Sequence, residues 1–172
     1  LIEIKPNSGA IAADYMKTGN IEILNSIVKL KGNELSRELT VAILDLRLAI
    51  EGMALKALSR SRSDKDIEHL RTITRDLEDK AYILSEEELA EEFFCWHREI
   101  CILSGKSILT LFMNTMHDVS IAFWINYLRM YDREFAIKRL EQFIDLIEAG
   151  NSQKVYDLLA SGIEEYLSKL KQ

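Results

Sequence analysis

The chain has few of the residues that interrupt or cross-link a fold. Its 172 residues include one proline, seven glycines, two cysteines and three histidines. So little proline and glycine favours long helices joined by short turns. Cys95 and Cys101 fall in one predicted helix with diverging side chains, so we expect two free thiols in a reduced, cytoplasmic setting. Three histidines also limit the kinds of site that the chain can hold.

Two further scarcities narrow the class of protein. Lys and Arg number 22 against 28 Asp and Glu, a net charge of -6, which argues against this chain gripping nucleic acid by itself. The longest apolar stretch, SILTLFMNTMHDVSIAFWINYL, is interrupted by Asn114, His117 and Asp118, so no membrane span is expected. The start, LIEIKPNSGA, has no apolar segment of a secretory signal. Because the chain opens on Leu, we expect a fragment of a longer protein.

The residues and patterns that are present predict one globular, largely helical domain. Residues 1–15, LIEIKPNSGAIAADY, predict two short strands, 1–5 and 10–15, around a PNSG turn, a hairpin too small to be stable alone. The rest has helical periodicity, with predicted helices over about 20–31, 34–61, 63–84, 85–104, 107–128, 131–148 and 152–170. Ser63 or Asp64 and Ser85 are predicted caps, and Gly32, Gly105 and Gly150 predicted stops. Short joints between long helices predict an all-α antiparallel bundle of six to seven helices, preceded by the hairpin.

Apolar residues at three-four spacing predict which helix faces point inward. On the helix over 34–61 they are Leu39, Ile43, Leu46, Ile50, Met53 and Ala57. On the helix over 85–104 they are Leu89, Phe93, Trp96, Ile100 and Leu103, widened by Phe94 and Cys101. We therefore expect the second of these helices to be central to the bundle.

Motifs of the common enzyme classes are absent. There is no phosphate-binding glycine loop, nucleophile elbow, His-Glu-x-x-His pair or CxxC. His69 lies beside the apolar face of a charged helix and is predicted to be solvated. His117 adjoins Asp118, but successive helical residues point about 100° apart, so no catalytic pair is predicted.

Two residues remain as candidates for a site. His97 borders the inward stripe, where a buried imidazole needs a hydrogen-bond partner. It is either a hydrogen-bonded core residue or part of the wall of a ligand cavity between helices. Arg47 is either half of an exposed ion pair with Glu51, one turn later, or an inward anchor for a carboxylate or phosphate.

Four segments together resemble a known family. LIEIKPNSGAIAADY is similar to the last wing hairpin of a winged helix-turn-helix. LDLRLAIEGMALKALS, FCWHREICILSGKSIL and FIDLIEAGNSQKVYDLL resemble, in that order, three segments of the effector-binding half of GntR-type transcription regulators of the FadR subfamily. In the second of these, Lys106 stands where the family usually has Asn. The resemblance divides the chain into a wing remnant (1–15), a linker helix (16–33) and a helical ligand-binding and dimerisation domain (34–172).

The resemblance also implies a bundle that binds a small metabolite, forms a homodimer and controls an attached DNA-binding domain. Many members hold a divalent metal with an Asp, the family histidine and two later histidines. Here the histidine position is His97, but Phe93 occupies the Asp position and no histidine follows His117. A single imidazole is a poor Zn²⁺ site, so neither a metal nor another cofactor is expected.

Phe93 makes the expected pocket more apolar, which favours an anionic effector with an apolar part, such as a fatty acid or acyl-CoA. Small organic acids held by Arg47 are the close rival. The predicted ligand-binding residues are Arg47, Phe93 and His97. Direct DNA contact is expected only at the wing tip, at Lys5, Asn7, Ser8 and Gly9. A helical interaction module without a pocket is the alternative, and a closed interior would favour it. An enzyme has little support.

Overall fold

The computed structural model describes residues 2–5, 9–12, 17, 19–30 and 35–170 of the chain. Near the start, strands β1 (Ile2–Lys5) and β2 (Gly9–Ala12) pair antiparallel, with Ile2 opposite Ala12 and Lys5 opposite Gly9. The predicted hairpin is present, although its second strand begins at Gly9 and not at residue 10. The turn residues 6–8 and the predicted strand end at 13–15 lie outside the described residues.

Eight α-helices follow within the described residues. They are α1 (Ile21–Leu30), α2 (Arg37–Ser61), α3 (Asp64–Lys80), α4 (Glu86–Leu103), α5 (Ser107–Thr115), α6 (His117–Met130), α7 (Arg133–Glu148) and α8 (Ser152–Lys169). The predicted all-α class is confirmed, with eight helices in the described residues where six to seven were predicted.

The segment predicted as one helix over 107–128 is instead the pair α5 and α6. The two helices meet at Met116 and are bent by 72°. The stretch contains no proline or glycine, so the sequence pattern gave no sign of the break. Met113, Met116 and Val119 are all buried around the corner, and their packing in the bundle stabilises the bend.

Predicted helix boundaries are confirmed where local chemistry fixes them. Ser63 and Ser85 each form a capping box with an acidic residue three positions on, at the starts of α3 and α4. Gly105 and Gly150 have φ angles of 70° and 69° just after α4 and α7, a conformation that side chains with a Cβ rarely adopt. Gly32, the predicted stop after α1, lies outside the described residues.

Helices α2 and α4 form the centre of the bundle. α2 contacts α4, α5, α6, α7 and α8, and α4 buries the predicted residues Leu89, Phe93, Phe94, Trp96, His97, Ile100 and Cys101. Leu103 is only partly buried. On α2 the predicted stripe is partly wrong, because Leu46 and Met53 are 40% and 52% exposed. Since α2 has neighbours on several sides, residues between the stripe positions, such as Leu44 and Leu55, are fully buried instead. Cys95 and Cys101 are free thiols, as predicted.

No single helix in the described ranges is long and apolar enough to cross a membrane. The bent pair of α5 and α6 reaches that length and composition only when taken together. In α6 the apolar residues Val119, Ala122, Phe123, Trp124 and Ile125 are buried within the bundle.

Candidate ligand-binding site

A cavity of about 40 Å³ lies among α2, α4, α6, α7 and α8. Because one water needs about 10–15 Å³ of such space, the cavity has room for about three water-sized groups. Its walls are mainly apolar and include six aromatic residues, Phe93, Phe123, Trp124, Tyr127, Phe143 and Tyr166. Three polar residues, Arg47, His97 and Arg139, share these walls. An apolar cavity with a few convergent polar groups is the usual form of a small-molecule site.

Arg47, Glu51 and His97 form one buried cluster at the cavity wall. Arg47 and Glu51 lie one turn apart on α2, and Arg47 Nε donates to Glu51 Oε2 at 2.7 Å. The α4 residue His97 lies against both, with Nδ1 in contact with Glu51 Oε1, and Arg47 Nη2 lies 3.2 Å from both Nδ1 and Nε2. The side chains of Glu51, His97 and Arg47 are 0%, 2% and 12% exposed. The buried polar groups of the three residues thus bind one another.

The hydrogen-bond chemistry of this cluster fixes the tautomer of His97. A guanidinium can only donate and an ionised carboxylate can only accept. Nδ1 therefore carries the proton and donates to Glu51, which leaves Nε2 as the ring nitrogen able to accept from Arg47. A neutral imidazole satisfies both contacts.

The pKa values of the buried pair agree with this assignment. Burial alone would raise the pKa of Glu51, but its electrostatic interactions with Arg47 and His97 and the hydrogen bonds from both outweigh it and lower the pKa from 4.5 to about 2. Burial lowers the pKa of His97 from its ordinary 6.5, the carboxylate of Glu51 opposes this, and Arg47 adds to it. At neutral pH the cluster contains one cation, one anion and a neutral imidazole.

Aromatic rings hold the cluster in place from the α6 side. The ring of His97 stacks on Trp124 with centroids 4.8 Å apart and planes 19° apart. The Arg47 guanidinium lies 4.5 Å from the centroid of Trp124 and 5.3 Å from that of Phe123. Phe93 contacts Trp124 at 5.2 Å. Trp124 therefore packs against Arg47, His97 and Phe93, the three residues predicted to bind a ligand.

A second charged cluster borders the cavity between α7 and α8. Arg139 Nη2 donates to Glu165 Oε2 at 3.1 Å, while Lys169 Nζ and the Tyr131 hydroxyl lie 3.1 Å and 3.2 Å from Glu165 Oε1. Arg139 is 20% exposed and Glu165 is 39% exposed. Tyr127 lies within electrostatic reach of both Arg47 and Arg139, and burial raises its pKa to about 12, so its phenol stays uncharged.

Comparison with known protein families identifies the family of this helical bundle. Residues 42–165 match the family described as the FCD domain. The chain belongs to the FCD domain family. The FCD domain is the C-terminal, ligand-binding regulatory domain of GntR-type regulators, so the predicted GntR-type resemblance is confirmed at that level.

A solved structure supports the fold of this FCD domain. A GntR protein of Streptococcus agalactiae superimposes with a TM-score of 0.65 at 16% sequence identity, covering 97% of this chain and 74% of that one. At so low an identity the likeness concerns the fold. No curated protein matches the sequence closely enough to count as a relative.

The FCD domain brings the three predicted ligand-binding residues to one place. Arg47, Phe93 and His97 all line the cavity, and Arg47 points inward and does not form a surface pair. That they bind a ligand stays a prediction. Of the predicted DNA contacts, Asn7 and Ser8 lie outside the described residues.

The other two histidines lie away from the cavity. His69 is 46% exposed and pairs with Glu99 at 3.0 Å, as expected of a surface residue. His117 Nδ1 lies 3.1 Å from Asp118 Oδ1, so the expectation that these neighbours point apart is wrong. The reason is position: His117 is the first residue of α6, where the chain has just turned at Met116. Both side chains are outside the cavity lining.

Several residues of the site were not predicted. Glu51 was considered only as a surface partner, and its place in a strongly apolar helix was the one indication that it could be buried. Trp124 and Arg139 gave no local indication. Among the described residues no three His, Cys, Asp or Glu side chains cluster as metal ligands, and both nitrogens of His97 are engaged.

Proposed function

We propose that this FCD domain is the effector-sensing, dimerising part of a cytoplasmic DNA-binding transcription regulator of the FadR subfamily, and that its cavity binds a small organic acid. The observation that carries the proposal is the half-open aromatic cavity with two arginines in its walls. Arginine donors in such surroundings form strong, directional bonds to carboxylates.

The size of the cavity favours a short acid over a fatty acid or acyl-CoA. The space of about 40 Å³ holds about three water-sized groups and is open on one side, so a short acid would lie partly in it and partly at its mouth. An acyl chain or the CoA moiety would extend far beyond this space. The apolar lining expected from Phe93 is present, but the space that it lines is small.

The cavity also bears on the two rival functions. An interaction module without a pocket would have a closed interior, whereas Arg47 and His97 border open space here. An enzyme would need a group able to exchange protons with a ligand. Both nitrogens of His97 are engaged and Glu51 is fully buried, so neither is available for that role.

Helix α6 connects the cavity with α1, which lies in the segment predicted to be the linker. Trp124 lies in the cavity wall, and six residues earlier Asp118 pairs with Lys29 of α1 at 2.8 Å. Next to this pair, Asn25 of α1 donates to the Thr115 carbonyl at 3.1 Å. A ligand packed on Trp124 would favour one position of α6, and with it one position of the linker. The proposal includes contact with DNA by the wing-tip residues Lys5, Asn7, Ser8 and Gly9.

A cavity-filling substitution tests the proposed ligand site. Gly162 of α8 lines the cavity, and a Cβ built on it has only the Arg139 guanidinium nearby, at 4.0 Å. Gly162→Leu should fill the cavity, whereas Gly162→Ala should leave room and gain up to about 1 kcal/mol of helix propensity. In a thermal-shift screen, short carboxylic acids should raise the Tm of the wild type and of Gly162→Ala but not of Gly162→Leu, and palmitoyl-CoA should raise none.

A screen in which no acid stabilises the wild type would contradict the proposal. Equal stabilisation of both glycine variants would place any acid site elsewhere.

A further inference from the structure

The two arginines of the cavity differ in how their charge is balanced. Arg47 belongs to a cluster with one cation and one ionised carboxylate, whereas Arg139 and Lys169 share the single carboxylate of Glu165. The first cluster is therefore neutral and the second has a net positive charge. An anionic ligand is attracted by net charge, so the two arginines are not equivalent as anchors.

Close approach of a second carboxylate to Arg47 is unfavourable. Glu51 is completely buried and lies 2.7 Å from Arg47 Nε. A ligand carboxylate at Arg47 would lie within a few ångströms of that fixed negative charge, in surroundings with little water to screen the repulsion. Arg47 retains N–H groups that can donate to an uncharged oxygen, because only Nε and Nη2 have partners among the described residues.

Arg139 is better placed to receive a charge. Its only hydrogen bond within the described residues is the single 3.1 Å contact from Nη2 to Glu165. Glu165 keeps Lys169 and Tyr131 as partners when Arg139 turns to a ligand. The remaining guanidinium donors can then form the paired contacts that carboxylates prefer.

We infer that Arg139, and not Arg47, holds the charged carboxylate of the effector, and that the site therefore selects small acids with a single negative charge. The inference rests on the proposed function and specifies the ligand class of the same cavity. An uncharged hydroxyl or carbonyl group at the far end of the acid meets Arg47, with Tyr127 between the two arginines. A dicarboxylate has two negative charges, whereas the two clusters together have one net positive charge. Its second carboxylate would also lie near Glu51.

Calorimetric titration with three short acids of equal chain length tests this assignment. The probes are 4-hydroxybutanoate, butanoate and succinate, added near neutral pH to the wild type, to Arg139→Gln and to Lys138→Gln. Lys138 is an exposed residue next to Arg139 on α7 and does not line the cavity, so its substitution changes the net charge equally. Both substituted side chains have some exposure, and a partly exposed ion pair adds little to stability, so both variants are expected to fold.

The wild type should bind 4-hydroxybutanoate most tightly and succinate about tenfold or more weaker. Arg139→Gln should weaken binding of 4-hydroxybutanoate by about 10- to 100-fold, the usual effect of losing a charged hydrogen bond, whereas Lys138→Gln should change it less than about twofold. The double substitution Arg47→Gln with Glu51→Gln preserves neutrality and should lose less than Arg139→Gln.

Two results would overturn the inference while leaving the proposed function intact. They are succinate binding as tightly as 4-hydroxybutanoate, and equal losses in Arg139→Gln and Lys138→Gln. Absence of binding by all three acids to the wild type would instead remove the proposed function, and the inference with it.

Discussion

At the scale of single residues, His97 shows how a polar group is accommodated in an apolar core. Its ring is stacked on Trp124 and its two nitrogens bind a carboxylate and a guanidinium. The two alternatives predicted for His97 are compatible, because the residue is a hydrogen-bonded core histidine and also forms part of the cavity wall. Its neutral state has a measurable consequence for stability.

Stability should fall as pH falls, beginning near the ordinary pKa of histidine. The folded-state pKa of His97 lies below 6.5, so the unfolded chain binds more protons than the folded chain below that pH. Glu51, lowered from 4.5 to about 2, adds a second loss below about pH 4.5. Urea unfolding at about pH 7.5 and about pH 5.5 should show a decrease for the wild type, at most about 1.4 kcal/mol per pH unit from His97.

Two histidine variants separate this effect from general acid sensitivity. His97→Gln has no titrating ring and should lose less stability over the same interval. His69→Gln removes a surface histidine that is 46% exposed and should retain the wild-type dependence. The same slope for His97→Gln and the wild type would contradict the assignment of a neutral, buried His97.

The sequence predicted which residues the site contains better than it predicted their partners. His97 and Phe93 lie on a strongly apolar stripe, and Arg47 follows an apolar run, so each could be selected from local pattern. Glu51 could not, because an Arg and a Glu four apart have the same spacing on a surface and in a core. Arg139 is more than 40 residues away from the other polar groups, and only the tertiary fold brings it to the cavity.

At the scale of elements, boundaries set by local chemistry were predictable and a boundary set by packing was not. Capping serines and left-handed glycines act within a few residues, so α3, α4 and α7 begin or end where expected. The break at Met116 depends on buried contacts from both sides of the corner. Periodicity across α5 and α6 continued without interruption.

The contact between α2 and α8 depends on a glycine in a helix interior. A Cβ on Gly52 would lie 2.7–2.8 Å from the ring of Tyr156, which packs against Lys56 with the amine 3.8 Å from the ring centroid. Gly52→Ala should therefore destabilise the protein by about 1–3 kcal/mol despite the better helix propensity of alanine. Chemical denaturation measures this change. Gly162→Ala on α8, with open space around its Cβ, serves as the control and should not destabilise.

A second variant identifies the cause. If the tyrosine ring is the obstacle, Gly52→Ala should be tolerated better in a Tyr156→Ala background than in the wild type. Equal effects of Gly52→Ala in both backgrounds would show that the ring is not what limits this position.

At the scale of the whole molecule, the bundle leaves one helix with an apolar outer face. Ile108, Leu111 and Phe112 of α5 are 57%, 59% and 51% exposed, and the neighbouring helix α2 exposes Leu46 and Met53. An exposed apolar surface of several large residues is typical of an interaction site. We assign it to the proposed homodimer, because two copies of one self-complementary face bury the same residues twice.

Charge placed on this face should separate the dimer. In size-exclusion chromatography with light scattering, the wild-type chain should have the mass of a dimer, and Ile108→Glu combined with Leu111→Glu should have that of a monomer. Burying two unpaired carboxylates in each copy costs several kcal/mol, enough to shift the association by orders of magnitude. Ile83→Glu is the matched control, since Ile83 is an apolar residue 83% exposed at the α3–α4 turn, and this variant should stay dimeric. A monomeric wild type, or a dimer that only Ile83→Glu disrupts, would show that the α5 face serves another purpose.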